Sequence, residues 1–91
     1  MEIRFVARAG FGEELARILG DICVKTREEP GCLGYELHRD RKDADRLMLY
    51  ETWRSLEDLA LHRTMPYSIA FRAHASRLLR EDFEVTIWDR L

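Results

Sequence analysis

Apolar and polar residues alternate from the start of this chain. In IRFVAR (residues 3–8), Ile3, Phe5 and Ala7 fall on one side and Arg4, Val6 and Arg8 on the other. That period predicts a strand with one buried face, ended by Gly10 and Gly12. From Glu13 to Arg27 the period becomes helical. Leu15, Ile18, Leu19, Ile22, Cys23 and Thr26 form one stripe, with Glu14, Arg17, Asp21 and Lys25 opposite. Acidic residues lie near its start and basic ones near its end, as the helix dipole favours. Pro30-Gly31 stops it. CLGYELHR (32–39) then alternates again, Leu33, Tyr35 and Leu37 against Cys32, Gly34, Glu36 and His38, and the charged run DRKDAD (40–45) predicts a solvated hairpin loop.

RLMLYETW (46–53) is apolar on both faces, with Leu47, Leu49 and Trp53 on one and Met48 and Tyr50 on the other. Such a strand must be covered twice. Helices can supply one cover in so short a chain, and the expected second cover is another subunit. Ser55 is a good helix N-cap with Asp58 three residues on, and the helix that follows places Leu56, Leu59 and Ala60 on one stripe. Met65-Pro66 interrupts it, and Pro66 suits a fresh first turn. The next helix puts Tyr67, Ala70, Phe71, His74 and Leu78 on one face. FEVTIWDR (83–90) closes the pattern as a strand, Phe83, Val85 and Ile87 against Glu84, Thr86 and Trp88. Strand, helix, strand, strand, broken helix, strand is the split βαβ order of a ferredoxin-like α+β sandwich, an antiparallel sheet with helices on one face.

Composition narrows the function classes. The 91 residues fit one domain, 1–91, and the net charge of −2 with mixed signs gives no footprint for nucleic acid or an anionic membrane. No apolar run approaches the roughly 18–20 residues of a membrane span. Cys23 and Cys32 read as small buried hydrophobes, and without a secretory signal they point to a reduced, cytoplasmic chain. No Cys/His spacing forms a metal site. Ser55 is accounted for as a cap, Ser68 and Ser76 have no triad context, and Gly10 and Gly12 lack the rest of a phosphate-binding loop.

The candidate chemistry gathers around the third strand. Glu51 and Trp53 share a face with Leu49, and His62 lies beside Leu59 on the flank of the following helix. Each has a plain structural reading. Glu51 can pair with one of many arginines, Trp53 can be packing, His62 can be a surface histidine, and His74 reads as a hydrogen-bonded core histidine. Tyr67 and Phe71, one turn apart, are core by default.

The ordered set E-P-G-C-x-x-Y (Glu29 to Tyr35), E-x-W (Glu51 to Trp53), His62 and P-Y-x-x-x-F (Pro66 to Phe71) resembles the antibiotic biosynthesis monooxygenase (ABM) domain family over nearly the whole chain. The resemblance implies a homodimer whose sheets pack into a shared α+β barrel, with a pocket in each subunit between sheet and helices. Characterised members include oxygenases of anthrones or hydroquinones that need no metal or flavin, haem-degrading enzymes and an isomerase, so fold alone does not choose among chemistries. Cofactor-free oxygenation needs a base near neutrality, a water-poor pocket and an aromatic wall for a flat substrate.

On that reading the expected catalytic residues are His62, as base, and Glu51, which orients it or is itself the base with a raised pKa. Leu49, Trp53, Leu59, Tyr67, Phe71 and His74 would line the substrate site. Some anthrone-oxidising and haem-degrading members carry a pocket asparagine. This chain has no asparagine, and Leu49 faces the same way as Glu51. The expected activity is therefore a cofactor-independent monooxygenation of a small, quinol-like aromatic with dioxygen. A non-catalytic dimeric ligand-binding or stress-associated protein, and a proton-shuttling isomerase of an enolisable carbonyl, are the alternatives.

Overall fold

A computed structural model describes all 91 residues. The elements are β1 (Glu2–Val6), α1 (Gly12–Thr26), β2 (Cys32–Arg39), β3 (Arg46–Trp53), α2 (Leu56–His62), α3 (Pro66–Leu78) and β4 (Glu84–Thr86). The sheet order is β2-β3-β1-β4 and every pairing is antiparallel. Phe5, Tyr35, Leu47 and Leu49 on one face of the sheet form a single buried cluster with Leu15, Leu19, Ile22, Ala75 and Leu78 from α1 and α3. The result is the expected ferredoxin-like α+β sandwich. No helix is long and apolar enough to cross a membrane.

The α1 stripe is buried as the period predicts, with Leu15, Leu19, Ile22, Cys23 and Thr26 all inside. Its start is anchored by a residue from the charged loop. Phe11 at the N-cap supplies no side-chain bond. Instead the Asp45 carboxylate accepts from the Gly10 and Gly12 N–H groups at 3.1 and 2.9 Å. Gly10 has a left-handed φ of 83°, and a Cβ at Gly12 would drive into the Ala44 carbonyl. Two glycines thus let the backbone close on Asp45, so this part of 40–45 caps a helix and is not merely solvated. Asp45→Ala should lower stability by about 1–2 kcal/mol, the scale of a lost N-cap, and urea unfolding would measure it.

Four local expectations are corrected. In β2, Cys32 pairs with Trp53 and Gly34 with Thr52, so Leu33 is an extra residue in a bulge. The bulge turns Leu33 out to 65% exposure, while Cys32 packs against the core. Strand β4 spans three residues where 83–90 was expected. Thr86 already lies opposite Glu2, at the end of β1, and beyond it no partner strand remains to extend the ladder. In α2 the inward residues are Asp58, Leu59 and His62, while Leu56 and Ala60 are exposed. In α3 the buried stripe is Ser68, Ala75 and Leu78 with Phe71 half-buried, at spacings of three and four, which leaves Ala70 and His74 exposed. The outer face of β3 is open within one chain, with Met48 half-buried and Tyr50 exposed.

Candidate functional site

The turn between α1 and β2 places the first group. The Glu29 N–H donates to the Thr26 carbonyl and the Cys32 N–H to the Glu29 carbonyl, both at 3.0 Å. Gly31 in this turn has no side chain to keep α2 away, and a Cβ there would overlap the Cβ and Cγ of Asp58. Asp58 is fixed in turn. Its N–H donates to Ser55 Oγ at 3.1 Å, and its carboxylate takes two bonds from Arg54 at 2.9 and 3.0 Å.

Seated this way, α2 carries His62, one turn beyond Asp58, onto Glu29. His62 Nδ1 lies 2.8 Å from Glu29 Oε2, with the two side chains only 7% and 8% exposed. The Tyr67 hydroxyl donates to the same carboxylate oxygen. Burial, and then this bond to Glu29, push the Tyr67 pKa up, so its proton stays in place. With Nδ1–H donating to a carboxylate, the neutral imidazole keeps its lone pair on Nε2. No protein group bonds to Nε2.

Glu51 is the second group. It is 1% exposed on β3, and both its backbone groups bond to Met1, Glu51 N–H to the Met1 carbonyl and the Met1 ammonium to the Glu51 carbonyl, each at 2.7 Å. Trp53 Nε1–H donates to Glu51 Oε1 at 2.9 Å. Glu51 Oε2 is buried with no partner. Burial pushes the carboxyl pKa up; the Trp53 bond, His62 and the N-terminal ammonium oppose that shift without cancelling it. A buried oxygen without a partner is costly in a native fold and calls for an explanation.

His62 and Glu51 both line one cavity of about 100 Å³ between sheet and helices. Its walls are mainly apolar, from Ile3, Phe5 and Leu49 of the sheet side, Leu19 and Ile22 of α1, Leu59 of α2, Phe71 of α3 and Phe83. Phe5, Phe71 and Phe83 contact one another with ring centroids 5.7–6.5 Å apart. Glu51, His62 and Ser68 supply buried polar groups, and the exposed Arg63 and Arg72 mark the mouth between α2 and α3. An apolar pocket with a few convergent polar groups and a shifted carboxyl is the usual form of a small-molecule site.

Comparison with known proteins fits this architecture. The family model described as antibiotic biosynthesis monooxygenase matches residues 1–74. The chain belongs to this family. A relative named "Putative monooxygenase Rv0793", from Mycobacterium tuberculosis, is 33% identical over 84 residues, covering 92% of this chain and 82% of the relative. The solved structure of Rv0793 superposes with a TM-score of 0.91 at 31% identity over 99% of this chain and 91% of that one. PA3566 from Pseudomonas aeruginosa superposes with a TM-score of 0.92 at 30% identity, over 99% of this chain and 90% of that one.

Within this ABM domain the residues singled out from sequence fall into three groups. Leu49, Glu51, Leu59, His62 and Phe71 line the cavity. Trp53 and Tyr67 stand behind that lining and hold its polar groups, Trp53 through Glu51 and Tyr67 through Glu29. The Trp53 and His62 rings also pack at a centroid distance of 4.8 Å. His74 is exposed, off the inward stripe of α3, and is neither a core histidine nor part of the lining.

The pairing of His62 with Glu51 is also corrected. The hydrogen-bond partner of His62 is Glu29, because α2 rests on the 29–31 turn, while Glu51 bonds to Trp53. In the sequence Glu29 stands out only as the first residue of the E-P-G-C-x-x-Y motif, with no role of its own attached. A carboxylate directly before Pro-Gly, at the end of a helix, was the available signal.

Proposed function

We propose that this protein is a cofactor-independent monooxygenase of a single-ring, quinol-like phenol. The observation that carries the reading is a carboxylate-held histidine and a buried carboxyl with one oxygen unpartnered, both lining one small apolar cavity. A cavity of about 150 Å³ accommodates one benzene ring, so about 100 Å³ admits at most a single ring, with its substituents reaching the mouth, and not a three-ring anthrone.

In this mechanism His62 Nε2 takes the phenol proton, and Glu29 faces the positive charge that the ring acquires. The electron-rich anion gives an electron to dioxygen. The resulting pair joins at a ring carbon, and the peroxide takes the proton from His62. His62, neutral again, takes the ring C–H proton as the O–O bond breaks and hydroxide leaves, which leaves a carbonyl. Glu51, whose pKa burial raises, protonates the departing hydroxide to water and recovers a proton from His62. One oxygen atom ends in the product and one in water. All four electrons come from the substrate.

A second copy of the chain covers the outer face of the sheet in this reading, supported by the exposure of Tyr50 and the half-burial of Met48. Sedimentation at micromolar concentration should give a dimer, and a monomer would remove this part.

The activity is tested by oxygen uptake of chelator-treated protein with hydroquinone and methylhydroquinone, corrected for autoxidation. The expected result is uptake that His62→Ala abolishes. No uptake with either compound or with 2,5-dihydroxybenzoate sinks the oxygenase. Solvent deuterium entering a substrate carbonyl compound without uptake would establish an isomerase instead.

A further inference from the structure

The mouth of the cavity carries positive charge that nothing in the chain neutralises. Arg72 Nη1 donates to Ser68 Oγ at 2.8 Å, and Nη2 donates to the Arg63 carbonyl at 2.5 Å. These bonds span from α3 to the residue directly after His62 and fix the guanidinium beside the catalytic end of α2. Guanidinium has five N–H donors, so three remain free. Neither Arg72 nor Arg63 forms an ion pair, which is also true of Arg8, Arg17, Arg27, Arg41, Arg77 and Arg90; Arg72 and Arg63 are the arginines that line the cavity. Ser68, which holds the fork, is itself buried in the cavity wall.

Resting on the monooxygenase reading, we infer that the substrate is a single-ring phenol bearing a carboxylate, a hydroxybenzoate-type compound whose carboxylate binds Arg72 while its hydroxyl faces His62 and Glu51. Inside the cavity a carboxylate would meet the Glu51 carboxyl, and the Met1 ammonium in the lining is already bonded to the Glu51 carbonyl at 2.7 Å. The cavity's walls are apolar and its inner polar end carries Glu51. At the mouth the carboxylate meets the free donors of Arg72 with no acidic side chain paired to them, and this orients the ring with the hydroxyl inward, toward His62. The planar, pre-positioned fork matches a carboxylate in a way that a mobile ammonium would not.

Calorimetric titration with 3-hydroxybenzoate and with phenol, neither of which the protein should oxidise under argon, tests the inference. The wild type should bind the carboxylate at least 10-fold more tightly, and the preference should shrink as salt is raised. Arg72→Met should bring the two ligands within twofold of each other. Arg72→Lys, which keeps charge but not the fork, should retain part of the preference, and it guards against a fold weakened by loss of the α2–α3 tie. Equal affinities in the wild type, or a preference that survives Arg72→Met, overturn the inference.

Oxygen uptake separates it from the activity. Uptake with hydroquinone and no preference for 3-hydroxybenzoate leaves the monooxygenase and removes the anion site. An Arg72-dependent preference with no uptake from hydroquinone or 2,5-dihydroxybenzoate leaves the site and removes the monooxygenase.

Discussion

Glu29→Gln should lower kcat by about 10²-fold or more, in the range of general acid–base contributions, while KM changes little and the fold stands. The expectation rests on the geometry of one oxygen. His62 Nδ1 and the Tyr67 hydroxyl both bond to Oε2 of Glu29. A glutamine carbonyl oxygen in that place accepts both bonds, so the substitution removes charge and leaves the hydrogen bonds. What is lost is the carboxylate that faces the imidazolium formed when Nε2 takes the substrate proton. Glu29 lies outside the cavity lining, which is why substrate affinity should hardly respond. His62→Ala is the harsher variant. It removes the base, but it also strips Glu29 of a buried partner, costing about 1–3 kcal/mol, so activity and stability fall together. Steady-state oxygen uptake and urea unfolding on both variants decide the matter. A Glu29→Gln protein with wild-type kcat would show that the dyad only holds α2 to the turn.

This pairing also marks the boundary of what the sequence carries. Local periodicity suffices for α1, whose stripe is buried as read, and for β1 and β3, where Phe5, Leu47, Leu49 and Glu51 all face inward. It placed His62 on the flank beside Leu59, where both line the cavity. It could not supply Glu29 as the partner, since the two residues are 33 positions apart and meet only because Gly31 lets α2 settle on the turn. Nor does alternation reveal the bulge at Leu33, because one inserted residue inverts every side chain before it. In α3, two stripes one residue apart compete. Sequence favours the one through Ala70 and His74; packing buries the one through Ser68, Ala75 and Leu78. In β4 the apolar alternation continues to Ile87 and Trp88, but the partner strand does not.

Glu51→Gln should reduce activity and stabilise the protein at alkaline pH. Glu51 is buried with one oxygen unpartnered, and burial raises its pKa in the folded state. In the unfolded chain the carboxyl ionises in the ordinary glutamate range. Below that range both states carry the proton and Glu51 contributes its full share of stability. As pH rises the unfolded carboxyl ionises first, and the contribution declines until pH passes the raised folded value, where a buried charge must be held. Glutamine keeps an acceptor for Trp53 Nε1–H and never ionises, so the variant should lack this decline. At pH 8–9 it should be more stable than the wild type by about 1–3 kcal/mol, the cost of a buried unsatisfied polar group. For a domain of this size each kcal/mol corresponds to about 4–8 °C in Tm. At pH 4 the two proteins should nearly coincide. Melting curves from pH 4 to pH 9 read the difference directly. Curves that run parallel would mean that the Glu51 carboxylate is accommodated without penalty, and the neutral acid assigned to the oxygen–oxygen cleavage step would lose its physical basis. A convergence at low pH, together with lost turnover, would place Glu51 among residues that destabilise the fold for the sake of the reaction.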